Sequence, residues 1–459
     1  MLFMMKAHPR SKPRFAGLWL PAALVLAAVS TPAAAQLRLP GLPGVSSVPE
    51  LTRRLPQSSN VDTVLASTPL DDVRRVTVRG LLQRHRDVLE ADPNGEPVVR
   101  GELLVSAPSD RLLAAATAEG FRVLRTQPLE GLDERFVVLA PPRRLSLPEA
   151  AARLRALEPG TEVDFNHVYT RSGSGGDGAS SGPTARSGGT DPAGAADAAA
   201  PRRVGLIDGG VDRQHPSLAQ ALVTTWGCNG QVLPSNHGTA VASLLIGQGS
   251  GYSGAAGTAT LYAADIYCDG PTGGSSEQLV QALAWLAREK VAVINVSLVG
   301  PANRLLERAL RALLARGHLV VAAVGNDGPA AAPLFPAAYA GVLGVTGVGS
   351  GGRVLPEAAQ GPQVAFAAPG ADLPVARARA RDFAVARGTS FAAPVVAGLL
   401  ARALPAPDVL AAARAVAELQ RSAKDLGAPG RDDVYGWGLL DWPGRVAPAH
   451  LQARKALAP

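Results

Sequence analysis

A chain of 459 residues, 47% of them hydrophobic, can bury a sizeable core, and its length allows more than one domain. The net charge of +7 is modest for that length, is carried mainly by scattered arginines and includes no basic run interleaved with aromatics, so nothing in it points to a nucleic-acid partner.

At the N-terminus, Lys6, Arg10, Lys12 and Arg14 precede an apolar stretch from Phe15 to Val29, and Ala33-Ala34-Ala35 offers a small-residue cleavage site. This predicts a secretory signal over residues 1–35, removed after Ala35, and hence an exported protein, periplasmic or secreted. An uncleaved anchor is the alternative; the stretch is shorter than the ~20 residues that a span needs and contains Pro21. No later segment looks membrane-spanning, so no stable membrane span is expected. Residues 36–97 have no assigned fold, although Asp71 to Ala91 looks helical.

From Val98 the pattern reads strand (to Ala107), helix (Ser109 to Glu119), strand (Phe121 to Leu124), strand (Arg135 to Ala140), helix (Ser146 to Leu157) and strand (Glu162 to Phe165). That βαββαβ order predicts a small ferredoxin-like α+β domain over residues 98–169. Residues 170–203 read as a linker, because 171 to 200 are rich in Gly, Ser, Ala and Asp without hydrophobic periodicity.

The second half alternates strands with helices. Val204 to Ile207 is an apolar run, short enough for a buried strand, and Asp208-Gly209-Gly210 breaks it. His237 opens a helical run of small residues that ends near Gly247. Then come a strand (Leu261 to Tyr267), a helix (Ser276 to Glu289), a strand (Ala292 to Leu298), a helix (Asn303 to Arg316) and two strands (His318 to Val324, Gly341 to Val348). A last helix runs from Ser390 to Leu404 and stops before Pro405. Pro394 is tolerated in its first turn, where the amides have no intrahelical acceptor to lose. The alternation predicts an α/β domain over residues 204–447, a doubly wound parallel sheet with its site outside the strands' carboxyl ends. Residues 448–459 read as a tail. Gly249 to Gly254 matches Gly-x-Gly-x-x-Gly, but it follows a helix and precedes a strand, the reverse of the dinucleotide-binding order, and is read as a loop.

Three islands in this half carry chemistry: Ile207-Asp208-Gly209, His237-Gly238-Thr239 and Gly388-Thr389-Ser390-Phe391-Ala392-Ala393-Pro394. A serine hydroxyl is a weak nucleophile until an imidazole takes its proton, and the imidazole needs a carboxylate to fix its tautomer. Asp208, His237 and Ser390 supply one group for each role. Their order along the chain is that of subtilisins and not of chymotrypsin-like enzymes or α/β-hydrolases. Taken singly, each island has a plainer reading: a strand-end aspartate, a helix-start histidine, a serine in a turn or cap.

Order and flanking residues together resemble the subtilisin-like serine peptidases over roughly residues 203 to 447. The resemblance implies a subtilisin-like fold, polypeptide substrates, catalysis by the Asp208, His237 and Ser390 triad through an acyl-enzyme, no cofactor, and a monomer. It makes Asn326, in Val324-Gly325-Asn326, the donor to the oxyanion. It also makes Ser297-Leu298-Val299-Gly300 the segment that pairs with the substrate backbone, and Ala323, Val324 and Gly325 an uncharged wall for the residue before the scissile bond. The α+β domain resembles the inhibitory propeptide of such enzymes, so the protein's own propeptide is expected to be its intramolecular inhibitor. Tyr169 is its expected terminus, with self-cleavage after it. Trimming elsewhere in the linker, for instance after Arg171, Arg186 or Arg203, is the alternative.

Two departures from the family pattern stand out: Gly209 where Ser or Thr is usual, and Ala240 where a second histidine is common. The segment from Leu245 to Ala259 is shorter than the family's calcium loop and lacks Asp, Glu and Asn, so no metal is expected there. Cys228 and Cys268 form one disulfide if exported; two free thiols remain the alternative. Rival functions are a catalytically silent binding protein or chaperone of the same fold, and a maturation protease dedicated to one exported partner.

Overall fold

The computed structural model describes residues 69–171, 202–249 and 252–442. The signal segment with Ala35, linker residues 172–201 and the tail at 448–459 lie outside them. All described residues belong to one unit, 62–459.

The N-terminal part begins with α1 (Pro69–Arg84) and β1 (Leu89–Ala91). The helical reading of residues 71 to 91 therefore holds only to Arg84, because Leu89 to Ala91 pair antiparallel with Pro97 to Val99. The α+β module follows: β2 (Pro97–Ser106), α2 (Asp110–Ala118), β3 (Arg122–Leu129), β4 (Glu134–Ala140), α3 (Leu147–Leu157) and β5 (Val163–Arg171). Its strands are antiparallel in the order β5, β2, β4, β3. Helices start where the sequence caps them. Ser109 accepts the Leu112 amide, and Ser146 with Glu149 forms a capping box.

One face of this sheet buries Leu103, Val137 and Leu139 against Leu112, Ala116 and Leu154 of the two helices. The other face, through Leu104, Phe136 and Val138, shares a core with Leu279, Leu283 and Leu306 of the second half. Apolar area removed from water on this second face, at about 25 cal/mol per Å², holds the module against the α/β domain.

That domain is built on a seven-stranded parallel sheet. Its strands are β6 (Arg203–Asp208), β7 (Val223–Trp226), β10 (Thr260–Asp265), β12 (Val293–Val296), β14 (Leu319–Ala323), β15 (Leu343–Val348) and β16 (Val364–Pro369). The order is β16, β15, β14, β12, β6, β10, β7, and each pairing is parallel. Valine, isoleucine, leucine and alanine at nearly every central position let both faces be covered. On one side pack α4 (Asn236–Ile246), α7 (Thr389–Ala403) and α8 (Val409–Ser422); on the other lie α5 (Ser276–Arg288) and α6 (Arg304–Ala315).

Short antiparallel pieces decorate the frame. β8 (Gln248–Gly249) pairs with β9 (Tyr252–Ser253), so the glycine-rich loop read from sequence is the flank of a hairpin whose residues 250 and 251 are not described. β17 (Leu373–Ala376) pairs with β18 (Phe383–Ala386), while β11 (Gly274–Ser275) and β13 (Leu298–Val299) both pair with β5.

Cys228 and Cys268 are bridged, with Cα atoms 5.1 Å apart and a sequence separation of 40, which resolves the alternative left open by the sequence. The bond ties the loops that leave the neighbouring strands β7 and β10. Closing a loop of that length restricts the unfolded chain, so reduction is expected to lower stability by about 4 kcal/mol in the entropy model. Denaturant melts with and without dithiothreitol measure it. A change below roughly 1 kcal/mol would mean that the bridge constrains little that the unfolded chain explores.

Candidate active site

The carboxyl ends of β6, β10, β12 and β14 supply the chemistry, as expected for an open parallel sheet. Asp208 is the last residue of β6 and only 1% exposed. Its Oδ1 accepts the Gly209 amide at 2.7 Å, and both oxygens lie against His237 Nδ1, at 2.9 and 2.8 Å.

His237 is placed by the start of α4. Ser235 caps that helix by accepting the Gly238 amide at 3.0 Å. A side chain on residue 209 would put its Cβ 2.5 Å from the Ser235 hydroxyl, and one on residue 238 would put it 2.1 Å from the Gly209 carbonyl oxygen. Glycine at 209, a departure from the family pattern, thus goes with a serine cap that fills the space. His237 Nε2 is buried and has no hydrogen-bond partner among the described residues.

Ser390 is the second residue of α7 and 1% exposed. The oxygen of its hydroxyl lies 3.3 Å from the Ser297 carbonyl, to which it donates. The Ser297 hydroxyl in turn donates to the Ser390 carbonyl at 2.9 Å and accepts the Asn295 amide at 2.8 Å. The end of β12 and the start of α7 are therefore fastened to each other. Asn326, just beyond β14, accepts the Thr389 amide through Oδ1 at 3.0 Å; its Nδ2 lies beside Gly388, where a Cβ would be 3.1 Å away. His237, Phe391, Gly388 and Asn326 line one cavity of about 810 Å³. The His237 and Phe391 rings are 5.3 Å apart.

Part of this cavity's wall is β5, through Val168, Thr170 and Arg171. The sequence reading ends the last strand of the module at Phe165; the structure continues it to Arg171. The extension is invisible to periodicity, since it is made by partners distant in sequence. Val168 and Tyr169 pair antiparallel with Ser275 and Gly274, and Thr170 and Arg171 pair with Val299 and Leu298. Polar side chains of β5 also cap the helices that the module covers. Asn166 accepts the Glu277 amide at 3.1 Å, and Asp164 accepts the Arg304 amide at 2.7 Å. Arg125 of β3 binds Glu277 and Glu102.

This register sets where Tyr169 lies along the strand. Arg171 pairs with Leu298, next to the Ser297 whose carbonyl holds the Ser390 hydroxyl. Tyr169 lies two residues further from it, about 7 Å along the strand. Its ring is fully buried against Gly300, where a Cβ would come within 2.5 Å, and its hydroxyl donates to the Pro301 carbonyl at 2.7 Å. Tyr169 fills an upstream pocket and not the one beside the nucleophile. Of the residues expected to receive substrate, Leu298 and Val299 do pair with β5, whereas Ala323 and Val324 turn their side chains into the core on opposite faces of the sheet.

Sequence reasoning missed two parts of the cavity wall. Thr77, Val78 and Leu81 of α1 line it, with Arg74 bound to Glu96 at 2.7 Å and 3.8 Å from Asp327. Tyr267 lines it beside Asp265, the last residue of β10 and the in-register neighbour of Asp208. Burial, with the charge of Asp208 adding to it, raises the pKa of Asp265.

The subtilase family model matches residues 202–438, just over half of the chain. The chain belongs to the subtilase family. The minor extracellular protease Epr of Bacillus subtilis is 28% identical over 227 residues, which are 49% of this subtilase and 35% of Epr. The halolysin-like extracellular serine protease Nep of Natrialba magadii is 30% identical over 253 residues, 52% of this subtilase and 46% of Nep. The match thus spans between a third and a half of these two relatives. Among solved structures, fervidolysin from Fervidobacterium pennivorans shares the fold, with a TM-score of 0.61 over 78% of this subtilase and 62% of that chain at 19% identity.

Proposed function

We propose that this subtilase is an exported serine endopeptidase made as a zymogen, with the α+β module as its inhibitory propeptide. The observation that carries the reading is β5, a strand of the chain's own N-terminal part lying antiparallel to β13 in the cavity that holds His237 and Asn326. An extended peptide in that position has main-chain bonds to fix its register and side-chain pockets to select its residues. Two extracellular proteases among its relatives support export.

In this reading His237 Nε2 takes the Ser390 proton as Oγ attacks the carbonyl, and Asp208 holds the imidazole tautomer and stabilises its charge. Asn326 Nδ2 and the Ser390 amide receive the oxyanion; a donor of this kind is worth ~10²–10³ in turnover in a subtilisin. The amine leaves with the proton from His237, and water then hydrolyses the acyl-enzyme by the same route in reverse.

Self-processing tests the zymogen. N-terminal sequencing of the wild type, beside Ser390→Ala made in a protease-deficient host, is expected to show a wild-type start just beyond Arg171 and an uncut variant. A variant cut at the same place would assign the cleavage to another protease, and a start at Thr170 would place the cut after Tyr169, as the sequence leads one to expect.

A further inference from the structure

Arg171 is the described residue of β5 closest to the nucleophile along the strand, and its surroundings are those of a bound cation. Its guanidinium lies 5.1 Å from the centre of the Tyr267 ring, within cation–π range. One of its terminal nitrogens lies 3.5 Å from the place that a Cβ on residue 209 would take. Its Nε is buried without a hydrogen-bond partner among the described residues.

Asp265 stands beside it at the end of β10. Its Oδ1 accepts the Tyr267 and Cys268 amides at 3.0 and 2.9 Å, and the Cys228–Cys268 bridge fixes that turn. Its Oδ2 is buried and has no hydrogen-bond partner among the described residues, although the residue is only 8% exposed. That oxygen lies over Gly210, where a Cβ would be 2.8 Å from it, next to the Gly209 that faces Arg171. A buried carboxylate oxygen without a donor is costly and calls for one. Three other guanidiniums on the cavity rim are already held by carboxylates: Arg74 by Glu96, Arg377 by Asp382 and Arg387 by Glu357.

We propose that Tyr267, Asp265 and the side-chain-free shelf of Gly209 and Gly210 form a subsite for an arginine or lysine, at the substrate position that pairs with Leu298. Arg171 occupies it as the chain's own pseudosubstrate. Asp208, level with Asp265 on the adjacent strand, adds a second negative charge. A planar guanidinium can stack on Tyr267 while turning a donor to Asp265 Oδ2. This inference rests on the peptidase reading for its substrate class but not for the pocket, and the test separates the two.

The pocket is tested in the full-length Ser390→Ala chain by hydrogen exchange of the β5 amides from Val168 to Arg171. Arg171→Gln and Asp265→Asn are each expected to speed exchange by roughly tenfold, and the double variant by no more than either alone. Independent, additive effects, or none, would overturn the proposal. Asp265→Asn keeps the shape and the Oδ1 acceptor; should it fail to fold, Tyr267→Leu takes its place in the cycle with the same expectation. The substrate class is tested with the wild-type protein on two peptides, Asn-His-Val-Tyr-Thr-Arg-Ser-Gly and its citrulline analogue, which keeps the shape and removes the charge. A roughly tenfold preference for arginine supports the subsite, and equal cleavage overturns it. If neither peptide is cut, the peptidase reading fails, and the exchange cycle alone decides whether the pocket binds a cation.

Discussion

Ser390→Ala is expected to lower peptide hydrolysis by about five to six orders of magnitude without changing the fold. The substitution removes one oxygen atom of volume from a site that is 1% exposed, and with it the atom that attacks the carbonyl. The bond from the Ser390 hydroxyl to the Ser297 carbonyl is lost, but the Ser297 hydroxyl still holds the Ser390 backbone carbonyl and so the start of α7. What activity remains would come from binding and oxyanion stabilisation alone. Steady-state hydrolysis of a chromogenic peptide by purified protein, with a thermal melt to verify folding, is the measurement. Turnover near that of the wild type would remove Ser390 from the mechanism.

Asp208→Asn is expected to cost about 10⁴ in turnover at neutral pH. Both carboxylate oxygens lie within 2.9 Å of His237 Nδ1, so an asparagine must present an amide donor where a proton on that nitrogen already donates. Either the amide turns away or the imidazole adopts the other tautomer, which leaves Nε2 protonated and unable to accept from Ser390. The Gly209 amide, which donates to Oδ1 at 2.7 Å, favours keeping the amide oxygen on its own side and so placing the nitrogen toward the ring. Comparison of kcat for the two proteins reads the effect. A loss smaller than about tenfold would mean that Asp208 does not set the tautomer.

The parallel sheet was legible because its chemistry is local. Val204 to Ile207 is apolar at every position but the glycine, is followed after Asp208 by a glycine pair, and folds as the interior strand β6 carrying Asp208 at its tip. Capping made helices legible too: Ser275 with Gln278 and Asn303 with the Leu306 amide open α5 and α6 close to where the pattern starts them. The extension of β5 was not legible. Asn166, His167 and Tyr169 carry no alternation that marks an edge, and the partners of Val168 to Arg171, namely Ser275, Gly274, Val299 and Leu298, lie over 100 residues away. The place of Tyr169 along the site was hidden for the same reason, since a register is a property of two segments and only one was in view.

Asp265 was hidden differently. The sequence pattern puts it inside a strand that runs on to Tyr267, and only the in-register pairing with Asp208 shows two carboxylates side by side at the sheet's carboxyl end. The helix α8, with Ala412, Ala415 and Leu419 buried, went unread among alanines that mark no face strongly. β16, another alanine-rich segment, escaped for want of a bulky alternating pattern.

Covalent labelling with a fluorophosphonate tests the central claim most directly, because it needs the nucleophile, its base and the oxyanion site at once but no knowledge of the substrate. After processing, the wild type is expected to carry one adduct per chain, located by peptide mass spectrometry on Ser390 and absent from Ser390→Ala. Folded, processed protein that takes up no label at Ser390 would contradict the peptidase reading and favour a silent binding protein of the same fold.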